Sequence, residues 1–592
     1  GESAVAGTED ASVAGGQVKV GMDVDGFRGR VDFANSGADI LTINGAAYDV
    51  ITSVAELIGL SSTSMIKNYA LGANLDFTGA ANFAPIASLS ANVNFNGLGH
   101  TITGMNIAGA GAANTGMFKV AGADSDIRNV GLVAGVVSGG GAGTGGLIGS
   151  GTSGTVSNSY NTGTVTGAAG TGGLVGNMTT GKILNSFAAG AVTGAAGVGG
   201  LVGAMTTGLV DKSYATGNVV GAAGTGGLVG SSTGLVSGSY AEGTVDGNAG
   251  TGGLIGASTG SVSESYAKGD VDGDAGTGGL IGASTGLVND SYAKGNVEGH
   301  AGTGGLIGTK TNDTSNSYAT GNVKGDVGVG GLLGTNTGAV TSNYAAGTVE
   351  GASNVGGLLG TNTGPVTKNV VAGTVEGTGA NVGGLLGTNS TTGTLSENFW
   401  DTDNGNTHAI GNNTTPLPDG TTGVTREQLI GSDFFMASEG SSGSADLSLS
   451  GFIQNITQES DTDPYIVATD VTAGSDVTAG SDGAARSAAA TGAAIAARLD
   501  GALAARTAGG NSSVVIGNST VAILGSDTDT LIDKDRAIIS PLLSAKNCSF
   551  VSIGGAATAV GAKQKTKKVG LGLDEPTFND VDVDGVKVFK CS

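Results

Sequence analysis

The sequence predicts an all-β protein, a parallel β-solenoid, and three observations predict it. The first is a phrase, Gly-Gly-Leu-[Leu/Ile/Val]-Gly, written ten times between about Thr144 and Gly387. Its leucines are Leu147, Leu174, Leu201, Leu228, Leu254, Leu280, Leu306, Leu332, Leu358 and Leu385, so the period is 26 or 27 residues throughout. The second is the content of one period. Gly252-Gly253-Leu254-Ile255-Gly256 is followed by Ser261 to Ala267 and by Lys268 to Gly273, three short β-type pieces divided by Gly, Ser, Thr and Asp. None has the length or the 3.6-residue apolar period of a helix. The third is size. A unit this small cannot bury its own apolar side, so copies must stack, one coil on the next at about 4.8 Å. Glycine serves the corners and lets coils approach closely.

Composition agrees. The 592 residues include 115 Gly but only 7 Pro, which excludes collagen, and aromatics at 4% are too few for an ordinary globular core. Apolar residues recur in register, which argues against disorder. The net charge is −23 and the pI is near 4.3. Such a surface repels nucleic acid and anionic lipid and attracts divalent cations. No run of 18 apolar residues is present, so no membrane-spanning segment is expected. Gly1 reads as a mature or trimmed start, without a signal peptide.

In chain order, 1–45 reads as leading β-coils that continue a rod lying upstream. Residues 46–67 hold a short helix or plug, with Ser53 as N-cap and Glu56 completing a capping box. Pre-repeat coils occupy 68–135 and the repeat array 136–400. An irregular cap follows over 401–465, with a helical piece near Arg426–Ile430. Residues 466–510 form a linker, in which Val471–Asp476 is copied at Val477–Asp482, and an Ala-rich helix. A separate C-terminal unit, 511–592, returns to β-runs and holds the two cysteines, Cys548 and Cys591. They suit one disulfide in an oxidising compartment; two free thiols are the other reading.

Certain phrases carry a resemblance. Phe95-Asn-Gly-Leu-Gly-His-Thr-Ile-Thr-Gly-Met-Asn-Ile107, the GGLIG phrases, Ser265-Tyr-Ala-Lys-Gly269 and Glu397-Asn-Phe-Trp-Asp401 resemble filamentous-haemagglutinin-like adhesins of two-partner secretion systems that carry GLUG repeats. The resemblance covers roughly residues 40–435. It implies a right-handed parallel β-helix and a secreted adhesin on the surface of a Gram-negative bacterium. The implied partners are an outer-membrane transporter, polysaccharide or a neighbouring cell surface, and further copies of the chain. It also implies a terminal disulfide loop, here Cys548–Cys591, that hooks the chain in its transporter. The Asn-Pro-Asn motifs of the secretion domain are missing from this sequence.

Stacking turns positions into columns. One is aromatic: Tyr160, Phe187, Tyr214, Tyr240, Tyr266, Tyr292, Tyr318 and Tyr344. Tyr214 to Tyr344 are candidate sugar-binding residues; the plainer reading is that the rings stack for stability. The Ser or Asn before each ring is expected to hydrogen-bond along the rod axis. A second column is Asp246, Asp272, Glu298, Lys324, Glu350 and Glu376. Like charges so close repel unless bridged, which makes calcium the one candidate cofactor. Its candidate ligands are Asp270, Asp272 and Asp274, at alternate positions, and Asp580, Asp582 and Asp584 in Asp-x-Asp-x-Asp-Gly. No Glu at the twelfth place completes an EF-hand there. Plain solvated acid is the alternative for both. A third column, Thr207, Thr233, Thr259, Thr285, Thr311, Thr337 and Thr363, suits ice binding less well than turns.

Enzymatic readings fare badly. His100, His300 and His408 form no His-Glu-x-x-His, and no Arg lies between Arg128 and Arg426 to serve a polysaccharide lyase. Carboxylates for glycoside hydrolysis are plentiful, but no coil carries the long loop that builds a cleft. The expectation is therefore a non-enzymatic extracellular adhesin, with an architectural filament or a β-helix carbohydrase as alternatives.

Overall fold

The computed structural model describes residues 26–425, except 110, 152, 391–392, 405–406 and 414–417. It also describes strands at 11–13 and 21–23 and seven strands between 512 and 591. The expected helix near 426–430 and the linker with its Ala-rich helix lie outside the described residues. The chain divides into two compact units, 1–426 and 427–592.

The first unit is a parallel β-solenoid. Each turn passes through three faces, seen most simply in the turn that begins at Gly252. Ile255–Ser258 lies on the first, here called the Leu face. Val262–Ser263 and Tyr266–Ala267 form the second, the Tyr face. Val271–Asp272 forms the third, the Val face. The Leu face has thirteen strands, from Ser64–Met65 to Leu386–Asn389, one per turn. At about 4.8 Å per strand the stack is about 58 Å long. Register between turns steps by 24, 32 and 30 residues (Met65, Leu89, Ala121, Gly151) before it settles at 27 and then 26. The repeat therefore begins where turn length becomes constant.

The Gly-Gly-Leu-x-Gly phrase has a steric cause. A Cβ on Gly252 would lie 2.1 Å from the Ile255 carbonyl oxygen, and one on Gly253 would lie 2.1 Å from that of Gly279 in the next turn. Between them Leu254 points inward and is wholly buried, as are the other nine leucines of the phrase. Each contributes about 2 kcal/mol of transfer free energy. The main core cluster runs from Ile51 to Ile410, and smaller clusters lie under the Val face and the N-terminal hairpin. Each turn also has a left-handed corner just before the Tyr-face ring, with φ near 50° at Glu264, Asp290 and Asn316. Only some copies place Asn or Gly there, the residues that tolerate it best.

The ends differ from the middle. The helix is Val54–Gly59, with the expected capping box: the Ser53 hydroxyl accepts from Glu56 N–H, and Glu56 accepts from Ser53 N–H. Partial burial opposes ionisation of Glu56, but hydrogen bonds from Ser36, Thr52 and Ser53 outweigh it and lower its pKa. Leu57 anchors the helix in the core. The leading coils expected over 1–45 are corrected in part. Gly37–Ile43 and Ala46–Ile51 make an antiparallel hairpin, not a coil. Its turn is Asn44-Gly45, both with positive φ, a pair that reverses the chain in two residues. Residues 31–33 then run along the rod: Val31 N–H donates to Leu98 O and Phe33 N–H to Gly72 O. At the far end Trp400 is buried against Gly384, where any Cβ would meet its ring. Thr421–Val424 adds one more parallel strand there, so the region after Trp400 prolongs the ladder before the described residues end.

The second unit matches the strands expected in 511–592. It contains the hairpin Ser512–Ile516 with Ser519–Ile523. A five-stranded sheet follows, in the order Asp529–Leu531, Cys548–Ile553, Val586–Cys591, Thr577–Val583, Lys563–Lys568.

Candidate functional site

The aromatic column stands on the Tyr face because Ala267 points into the core and Tyr266, its neighbour on the strand, points outward. Seven rings, Tyr160 through Tyr318, stack with centroids 4.6–4.8 Å apart and planes within 6° of parallel. Phe27 tilts onto Tyr160 at 5.1 Å and covers that end of the stack. Tyr344 continues the register, then Val370 and Phe399. The stack is therefore closed. From Tyr160 to Tyr318 the ring faces that a pyranose would need are turned to the next ring, which favours the plainer of the two readings of Tyr214, Tyr240, Tyr266, Tyr292, Tyr318 and Tyr344, stacking for stability. Tyr318 and Tyr344 are in addition buried. Lys268 and Lys294 reach over Tyr266 and Tyr292, at 4.7 and 5.2 Å from the centroids.

The serine column runs as expected. Ser239 N–H donates to Ser265 Oγ, Ser265 N–H to Ser291 Oγ and Ser291 N–H to Ser317 Oγ, each at 3.2 Å. Each hydroxyl donates in turn to the carbonyl two residues before it. From Asn343 onward the amide oxygen takes the same place: Ser317 N–H donates to Asn343 Oδ1 at 2.9 Å.

The Val face carries the carboxylates. Asp246, Asp272, Glu298, Lys324, Glu350 and Glu376 are paired in register on consecutive turns and all are exposed. Beneath them Val245, Val271, Val297 and Val323 are buried. One link is closed: Lys324 Nζ lies 2.9 Å from Glu298 Oε1, and that hydrogen bond raises the ammonium pKa. A second row borders the column. Asp270 Oδ1 accepts from Asn296 N–H, and Asn296 Oδ1 from Asn322 N–H. Between the rows runs a groove of about 410 Å³.

Of the calcium candidates, Asp270, Asp272 and Asp274 do not converge. Asp270 is engaged with Asn296, Asp274 lies 3.3 Å from His300 Nδ1, and Asp272 belongs to the column. Among the described residues no three carboxylate, imidazole or thiolate side chains gather as metal ligands. Asp580 and Asp582 lie within the paired strand Thr577–Val583, opposite Lys565 and Lys563. Asp584 lies outside the described residues. The cysteines end the neighbouring strands Cys548–Ile553 and Val586–Cys591. Their antiparallel ladder pairs Ser549 with Lys590, which puts the two cysteines at the same end of neighbouring strands.

Two buried titratable groups escape a reading of the sequence. His100 is fully buried, its Nε2 2.8 Å from the Val31 carbonyl, and burial lowers its pKa. Lys310 is also buried, pointing into the rod in the column of Ser258, Ser284 and Asn336. It donates to Ser284 Oγ at 3.2 Å and to the Gly286 carbonyl. Burial pushes its pKa down to about 8, against the opposing pull of Asp313. The signal for Lys310 was its register with two inward serines.

No protein-family model and no curated protein sequence matches this chain. A solved structure similar to part of it is a Bacteroides ovatus protein provisionally designated an immunoglobulin A1 protease. It is 20% identical, with a TM-score of 0.30, over 42% of this chain and 75% of that one. At that score the likeness carries no argument about activity.

Proposed function

We propose that this chain is an extracellular, non-enzymatic adhesin. Its solenoid presents a repeated surface to a matrix polysaccharide or a neighbouring cell. The observation that carries the reading is the uniform rod itself. From Leu147 to Leu385 every turn repeats the same inward leucine and the same pairing, and its outward face carries polar columns that repeat with it. A scaffold of this kind multiplies one contact along its length, and multivalency raises avidity without any new contact.

Export by a two-partner transporter of a Gram-negative outer membrane, and retention there by a Cys548–Cys591 loop, belong to the same proposal. A disulfide-closed loop is wider than an extended strand and jams a pore that passes unfolded chain. The places of the two cysteines at one end of neighbouring antiparallel strands support it. The test is cell fractionation with aggregation. Cys548→Ser or Cys591→Ser is expected to move the protein from the cells into the medium and to abolish clumping. Retention of either variant on the cells refutes the hook; clumping that is the same without the protein refutes the adhesin. The closed Tyr and Ser columns favour an architectural filament as the second reading, which end-to-end polymers in electron micrographs would support.

A further inference from the structure

We infer that the groove on the Val face is a docking surface for a linear polycation, an amino-sugar polysaccharide with free amines, laid parallel to the rod axis. The inference deepens the adhesin reading and rests on it. Charge complementarity commits it to this occupant. Asp246, Asp272 and Glu298 stand on successive turns at one lateral position, exposed and in register, and Glu350 and Glu376 resume the row after Lys324. Carboxylates at about 4.8 Å repel one another, and the repulsion is relieved by a ligand that brings positive charge at regular steps along the row. Only at Glu298–Lys324 does the rod supply that charge itself.

Shape agrees with charge. The row flanks a groove of about 410 Å³ that crosses several turns and is open along its length, as a polymer requires. Its other wall is the row of Asp270, Asn296 and Asn322. Their Oδ1 atoms are committed to backbone N–H groups of the next turn, as Asp270 is to Asn296 and Asn322 is to Thr348, so this wall is rigid. An extended β-1,4-linked sugar chain turns over at each residue, so its amines point alternately to the carboxylate row and to the other wall, and every second amine meets the row at a regular step. A neutral or anionic polysaccharide gains nothing from the row. Basic proteins are competitors, and they lack that step.

The test is calorimetric titration of the full chain with a fully deacetylated glucosamine hexamer and with its N-acetylated counterpart, which has the same backbone and no charge. Expected is binding of the amine form that weakens as salt is raised, with no heat from the acetylated form. The triple variant Asp246→Asn, Asp272→Asn, Glu298→Gln is expected to lose at least about tenfold in affinity. Lys324→Glu, which completes the row, is expected to bind more tightly than the parent. A control triple on another part of the turn, Asp211→Asn, Glu264→Gln, Asp290→Asn, removes the same charge and is expected to bind as the parent does. Circular dichroism of each variant confirms the fold. Equal binding of the acetylated hexamer, or equal loss in both triples, overturns the proposal. If the groove triple still clumps cells, the groove is refuted and the adhesin stands; if the parent itself never clumps cells, the adhesin falls whatever the titration shows.

Discussion

Tyr266 and Asp272 belong to one turn, six residues apart, and the same register copies each of them up and down the rod. Their columns nevertheless come to opposite ends. The rings attract, stack face to face and leave no face free. The carboxylates repel, stay exposed and line a groove. Stacking multiplies whatever a residue does to its own copy. Where the copies satisfy one another the column is structural, and where they repel, it is open to something else.

Substitutions sharpen the contrast between closed and open columns, and the closed ones have most to lose. The largest effect is expected at the backbone itself. Gly253→Val places a side chain against the Gly279 carbonyl and is expected to cost about 3 kcal/mol or more, read as loss of soluble folded protein. Ala249→Val, on an exposed corner, should leave melting unchanged.

Lys310 is an exception inside the closed core, and its effect has the opposite sign. Its folded pKa of about 8 lies below the ordinary 10.5, so between those values the unfolded chain holds more protons. Stability therefore rises with pH across that window, and below it the full penalty of a buried ammonium applies. Lys310→Met, matching Met178 and Met205 in the same column, is expected to stabilise at neutral pH by up to about 3 kcal/mol. Denaturant titration below and within the window checks it: the parent gains stability with pH and the variant does not.

A smaller loss is expected in the serine column. Ser265→Ala leaves the buried Ser239 N–H without its acceptor, at about 1–3 kcal/mol. Ser265→Asn should recover much of this, because Asn343 fills the same place. Thermal melting of the two variants separates the lost hydrogen bond from simple disturbance.

The sequence showed what repetition makes visible. The period, the inward leucines, the serine hydrogen bonds and the capping box at Ser53 and Glu56 are all patterns of spacing, and the structure contains them. Single events were harder to see. Asn44-Gly45 reverses the chain once, and the reading of coils over 1–45 passed over it. The burial of Lys310 follows only when its register with Ser258 and Ser284 is known, because its own neighbours Thr309 and Thr311 look like surface. The groove is a property of two adjacent columns, and a reading of one column at a time could not find it. The Tyr column was legible as a row, and stacking was the plainer of its two readings, which the parallel rings from Tyr160 to Tyr318 bear out.

The most direct test crosses the two columns in one experiment. Tyr240, Tyr266 and Tyr292 are changed to Ala in one protein, and Asp246, Asp272 and Glu298 to Asn, Asn and Gln in another. Both are melted and titrated with the glucosamine hexamer. The tyrosine variant is predicted to melt at lower temperature and to bind as the parent does below that melting point, and the carboxylate variant to melt no lower and to lose binding. A tyrosine variant that melts like the parent and fails to bind would contradict the assignment of structure to the closed column and recognition to the open one.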